Sequence, residues 1–187
     1  MPRNGLPPRL KRHIFLIGMP GSGKTTLGHA LSRCGYDFVD LDEYIEAGQG
    51  MTVAALVAAA GMPAFRRMET DALRQLVAGS PCIIACGGGT PCQDGNIELM
   101  RRAGTCVLLH CDRDRHIQRI AEAGARRPMF ADICHDSRGI DTLLQQLEAE
   151  RAPYYNRADL SFDTTRLETE AEIAATTDLF ISIILSN

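Results

Sequence analysis

No stretch of the 187 residues approaches the roughly 20 apolar side chains that a membrane-spanning helix needs, so the chain reads as soluble, with no membrane partner. Positive charge is not in excess either. The net charge of -3 provides no general attraction for polyanions and removes nucleic acid as the default partner. The seven cysteines, Cys34, Cys82, Cys86, Cys92, Cys106, Cys111 and Cys134, are odd in number and contain no C-x-x-C pair. Several lie in apolar, strand-like runs. They read as reduced thiols packed as small hydrophobes, which places the protein in the cytoplasm and argues against metal binding by cysteine. Internal repeats, low-complexity segments and an obvious apolar association stripe are all missing. The expectation is therefore a single compact unit acting as a monomer. Arg3, Arg9, Lys11, Arg12 and three prolines in the first twelve residues have the charge of a secretory leader. The apolar run that follows, residues 14–17, stops at a glycine loop and falls short of the roughly 7–15 residues such a leader requires. Residues 1–11 are expected to form a flexible tail, and 12–187 the folded domain.

Strand-length apolar runs at 13–17, 38–39, 82–85, 106–110 and 160–162 alternate with helix-period segments. That alternation predicts an α/β fold with a parallel sheet. Helices are expected over 24–33, 52–60, 64–78, 96–102, 113–122, 140–151 and 168–185. Thr52 serves as a cap, Gly61 as a stop and Pro63 fits a first helical turn. Residues 123–137 mix glycine, arginine and proline without sustained periodicity, as a mobile lid would.

Gly18-Met19-Pro20-Gly21-Ser22-Gly23-Lys24-Thr25-Thr26 fits the phosphate-loop pattern G-x-x-x-x-G-K-S/T between the first strand and the first helix. In this pattern glycines let backbone N–H groups close around phosphates, Lys24 supplies charge and Thr25 can hold Mg²⁺. Such a loop does not by itself distinguish a kinase from a GTPase, a motor or a nucleotide sensor. Three further groups concern a second substrate. Asp40 and Asp42 follow the second strand. They fall on one side if the extended conformation persists, so that one can help hold Mg²⁺ while the other meets an acceptor hydroxyl; the plainer alternative is a helix cap and a solvated acidic turn. Arg66 and Glu69 stand three apart on one helix face, either as a surface pair or as an arginine oriented for a carboxylate. Gly87-Gly88-Gly89 follows the third strand and leaves backbone N–H groups open to a small polar ligand.

Taken in order, the phosphate loop, Asp40-x-Asp42, Phe65-Arg66-x-x-Glu69, the triple glycine, Arg127-Pro128 and Arg151-x-Pro153-x-Tyr155 resemble the shikimate kinase family across about residues 12–185. The resemblance implies a three-layer α/β/α sandwich of P-loop kinase type. It has about five parallel strands, substrate-binding helices over about 42–79 and a lid over about 123–137. It also implies transfer of the ATP γ-phosphoryl group to the 3-hydroxyl of shikimate, on the route to chorismate and the aromatic amino acids. By the same resemblance Gly21, Ser22, Gly23, Lys24, Thr25 and Thr26 wrap the ATP phosphates, and Thr25 and Asp40 support Mg²⁺. Asp42 binds shikimate and orients or deprotonates its hydroxyl. Arg66 and Arg151 grip the carboxylate, Gly88 offers its backbone and Glu69 positions Arg66. Arg127 closes over the phosphates, while Arg119 and Arg166 meet the adenine. Met62 departs from the Glu that relatives often carry there, and Met129-Phe130 from the more usual Leu-Leu. Two other readings stay open: a related small-metabolite kinase such as a gluconate kinase, and a nucleotide-binding regulator without catalysis.

Overall fold

Five short apolar runs pair side by side in the computed structural model, which describes residues 9–93, 95–124 and 128–185. They are β1 (His13–Ile17), β2 (Phe38–Asp40), β3 (Ile83–Ala85), β4 (Gly104–His110) and β5 (Leu160–Asp163), all parallel, in the order β2-β3-β1-β4-β5. β1 lies at the centre with every residue buried, as its apolar run Ile14–Ile17 requires. The chain adds β2 and β3 on one side of β1 and β4 and β5 on the other. That reversal opens a crevice at the carboxyl ends of the central strands.

Strand alternation divides the core into two layers. Ile14 and Leu16 face a cluster with Leu27 and Leu31 of α1 (Lys24–Arg33) and Phe180 of α8 (Glu170–Phe180). Phe15 and Ile17 face the opposite layer, which includes Leu73 of α4 (Met62–Val77), Met100 of α5 (Asn96–Ala103), Ile120 of α6 (Arg113–Ala123) and Leu144 of α7 (Ser137–Tyr155). A third, smaller cluster joins Leu41 and Ile45 of α2 (Leu41–Gln49), Leu56 of α3 (Val53–Ala60) and Phe65 of α4, giving the expected substrate-binding helices a core of their own. α1 approaches β2 so closely that a Cβ on Gly28 would fall inside the Phe38 ring.

Three helical boundaries differ from expectation. Helix α2 left no period in the sequence and was implied only by the family resemblance, with its helices over about 42–79: Asp40 ends β2 and caps α2 at once, leaving no connecting loop to signal the change of period. α7 runs through Pro153 to Tyr155; the proline removes one N–H donor, but only two residues of the helix follow it. α8 ends at Phe180 and continues as a π-turn over Ile181–Leu185. Within the segment expected as a lid, Pro128–Ile133 forms a 3₁₀ turn whose Phe130 is fully buried.

Candidate active site

Between β1 and α1 the chain turns through Gly21 and Gly23, at φ 90° and 86°, a left-handed conformation that favours glycine. Gly23 caps α1 without a side-chain hydrogen bond, so the helix presents its backbone N–H groups and positive dipole end to the crevice. The Lys24 ammonium folds back over the loop and donates to the carbonyls of Gly18 and Met19, both at 2.9 Å, and to Ser22 Oγ at 3.3 Å. This arrangement keeps the charge centred on the loop.

Asp40 takes the capping role that was the plainer alternative from sequence, and it also meets Thr25. Its Oδ1 accepts from the Asp42 N–H at 3.0 Å, capping α2, and its Oδ2 accepts from Thr25 Oγ1 at 2.7 Å. The two carboxylates are therefore not neighbours on an extended strand. Asp42 sits in the first turn of α2, because the chain becomes helical at Leu41. Burial raises the Asp42 carboxyl to about 6, and the negative charges of Asp40 and Glu69 push the same way against the partial relief of Lys24 and Arg66.

Thr25 and Asp40 together offer one hydroxyl and one carboxylate. This sparse, hard oxygen set suits Mg²⁺, which keeps most of its water and shares its remaining positions with phosphate oxygens. Among the described residues no group of three or more His, Cys, Asp or Glu could hold a metal, so no all-protein cage competes with that pair.

The triple glycine is the floor on which the second set of groups meets. A Cβ on Gly87 would lie 2.6 Å from Glu69 Oε1 and 3.3 Å from Asp42 Oδ1. One on Gly88 would lie 2.6 Å from Arg151 Nη1, and one on Gly89 would overlap the Arg66 guanidinium. Sequence positions 42, 66, 69 and 151 thus converge because three side chains are missing between them. Arg66 Nη1 donates to Glu69 Oε2 at 2.5 Å, and Glu69, fully buried, also accepts from Thr90 Oγ1. Arg66 further borders a cavity of about 650 Å³ between α4 and the turn at Thr90–Cys92.

Arg151 is 6% exposed, and among the described residues no carboxylate pairs with it. Its Nη1 lies 3.9 Å from Met19 Sδ. Burying a guanidinium is costly unless an anion meets it, so an anion entering here would relieve that cost.

Arg119 is fastened beside the phosphate loop. It donates to Glu168 at 2.7 Å and to the carbonyls of Thr164 and Thr165 at 2.9 and 3.1 Å, and its Nη1 is buried with no hydrogen-bond partner. Arg166 is exposed on the same β5–α8 connection, where its carbonyl accepts from Thr176. Arg127 lies outside the described residues.

Several supporting groups had no role assigned from sequence. Tyr155 Oη donates to the Gly88 carbonyl at 2.7 Å, and burial lifts its hydroxyl to about 12, so it remains a donor. Asn96 holds the Thr90 carbonyl, Thr164 Oγ1 holds the Ser22 carbonyl and His116 faces the Pro20 carbonyl. The one local signal was the tyrosine in Arg151-x-Pro153-x-Tyr155. The remaining contacts join segments remote in sequence.

The family model described as shikimate kinase matches residues 20–181. The chain is similar to a shikimate kinase of Bacteroides fragilis, 38% identical over 161 residues, which is 86% of this chain and 89% of that one. Among solved structures it is similar to shikimate kinase from Bacteroides thetaiotaomicron, with a TM-score of 0.85 and 32% identity over 93% of this chain and 98% of that one. It is also similar to shikimate kinase from Acinetobacter baumannii in complex with shikimate, with a TM-score of 0.79 and 28% identity over 94% of each chain.

Proposed function

The chain belongs to the shikimate kinase family, and from that premise we propose that it transfers the γ-phosphoryl group of ATP to the 3-hydroxyl of shikimate, giving shikimate 3-phosphate and ADP. The observation that carries this reading is the convergence of Asp42, Arg66 and Arg151 on the triple glycine beside the phosphate loop.

In this reading the backbone of Gly21, Ser22, Gly23 and Thr26 holds the nucleotide phosphates, and Lys24 keeps its loop carbonyls while turning the donor it gives Ser22 Oγ toward the incoming negative charge. Thr25 and Asp40 would hold Mg²⁺, which when bound neutralises charge on the phosphate oxygens. Arg66 and Arg151 supply the match: shikimate carries one carboxylate, and two guanidinium groups present planar donor forks to receive it. Glu69 holds Arg66 in that orientation, and the Gly88 backbone lets the ring approach. Asp42 accepts the proton of the 3-hydroxyl as its oxygen bonds to the γ-phosphorus and the bond to the β-phosphate oxygen breaks. Arg127 closes over the phosphates, and Arg119 with Arg166 borders the adenine. The reaction serves chorismate and aromatic amino-acid synthesis. We place it in the cytoplasm, in a monomer without nucleic-acid or membrane partners. Among the described residues no helix is long and apolar enough to cross a membrane.

ADP release measured with shikimate beside gluconate tests the assignment. Shikimate should be turned over and gluconate left; the reverse would overturn it. In the same assay Arg66→Ala and Arg151→Ala should each raise the KM for shikimate by about a hundredfold while changing that for ATP little, as expected for losing about 3 kcal/mol of charge-assisted bonding. Unaltered shikimate KM in both would remove the carboxylate grip.

A further inference from the structure

A phosphate loop works by turning its N–H groups inward, so its carbonyls must turn outward and be satisfied from behind. Between residues 18 and 23 the loop makes one backbone bond of its own, Ser22 N–H to the Met19 carbonyl at 3.1 Å. The carbonyls of Gly18 and Met19 accept from Lys24, and that of Ser22 accepts from Thr164 Oγ1 at 2.7 Å. The Gly23 carbonyl accepts from the Leu27 N–H at 2.9 Å, and the group that meets the Pro20 carbonyl is an imidazole: His116 Nε2 stands 2.7 Å away, 96 residues later in the chain.

We propose that His116 is a positioning residue for nucleotide binding, holding the phosphate loop in its receptive shape by donating Nε2–H to the Pro20 carbonyl. The ring is 5% exposed and lies against the loop backbone, because a Cβ on Gly21 would stand 3.2 Å from His116 Cδ2 and 3.4 Å from its Nε2. A carbonyl can only accept, so the single proton of the neutral ring resides on Nε2. The neutral form is favoured by burial and by the positive charges of Arg113 on α6 and Lys24 on α1, against Glu148 on α7 and the Pro20 carbonyl itself. His116 stands on α6, whose Arg119 also grips the β5–α8 connection through the Thr164 and Thr165 carbonyls. One helix thereby braces the back of the loop both directly and through Thr164. Without the donor, the part-buried Pro20 carbonyl is left without its protein partner, and the peptide joining it to Gly21 is free to rotate toward solvent, taking the Gly21 N–H out of the cradle.

The inference rests on the loop being the nucleotide site, and the test separates the two. Calorimetric titration with ADP is run on the unaltered protein, His116→Phe and His116→Gln, alongside the KM for shikimate. Phe keeps the ring volume and loses the donor, whereas the Gln amide nitrogen can reach the place of Nε2. The Kd for ADP should rise about tenfold in H116F, recover to within about threefold in H116Q, and leave the shikimate KM within about twofold throughout. Should H116F not fold, His116→Asn, polar but too short to reach, takes its place with the same expectation. Unchanged ADP affinity in the donorless variant overturns the proposal, as does H116Q binding as weakly as H116F. Failure of the unaltered protein to take up ADP would overturn the nucleotide reading itself, a result visible before any variant is compared.

Discussion

Asp42 is held in the folded protein at a cost to stability. Its carboxyl is raised to about 6 by burial and by the charges of Asp40 and Glu69, so the folded state binds a proton more tightly than the unfolded chain does. Linkage then fixes the sign. Stability falls as pH rises from the ordinary carboxylate range through about 6, and above that the whole cost is present, up to about 3 kcal/mol. Activity should run the other way, because a base must be ionised: kcat/KM for shikimate should fall as pH drops through about 6. Asp42→Asn distinguishes the two effects. At pH 8 it should melt several degrees above the unaltered protein, with the gap closing toward pH 4, while kcat falls by about 10²–10⁴. Thermal melts across pH together with initial rates check this. A variant that melts no higher at pH 8, or that retains its turnover, would show that the site does not hold Asp42 in a strained, functional state.

At the scale of elements, most of the fold was legible because strand and helix each leave a period in the sequence. β1, with five buried residues of which Ile14, Phe15, Leu16 and Ile17 are apolar, and α1, opened by the phosphate loop, begin and end where the sequence indicates. α2 did not show itself, for a physical reason. It buries only Leu41 and Ile45, too few to establish a period, and Asp40 joins it to β2 with no intervening turn. The same residue links the element to the chemistry, with one oxygen on the Asp42 N–H and the other on Thr25. Asp40→Ala removes cap and ligand together and should cost about 1–2 kcal/mol, lowering the melting temperature by about 2–8 °C. Asp40→Asn keeps a capping oxygen and should melt within about 2 °C of the unaltered protein. It should nevertheless need more Mg²⁺ to reach half-maximal rate, since the carboxylate charge is gone. Equal melting of the two variants would show that the cap contributes nothing to α2.

At the scale of the whole molecule the site is a meeting of segments that local patterns cannot bring together. Lys24, Asp42, Arg66 and the triple glycine were legible individually, because each motif carries its own chemistry. Tyr155 bonding to Gly88 and Thr164 bonding to Ser22 span 67 and 142 residues and were legible only once the sheet order was known. Gly88 is the point where β1, β3 and α7 meet. A Cβ there would stand 2.6 Å from Arg151 Nη1, 3.3 Å from Pro20 Cδ and 3.5 Å from the Gly18 carbonyl. The closest of these is the far end of a long side chain, so Gly88→Ala should displace Arg151 without breaking the fold. At Gly87, by contrast, the added carbon would meet Glu69 Oε1 at 2.6 Å, and Glu69 is fully buried and bonded to both Arg66 and Thr90. Gly87→Ala should therefore destabilise the protein by about 1–3 kcal/mol. Gly88→Ala should leave stability within about 1 kcal/mol, raise the KM for shikimate at least about tenfold, and move the KM for ATP by no more than about threefold. Melting temperatures and the two KM values on both variants decide it. If Gly88→Ala unfolds the protein or weakens ATP as much as shikimate, Arg151 is a structural tie between α7 and the phosphate loop rather than a group held ready for the substrate's carboxylate.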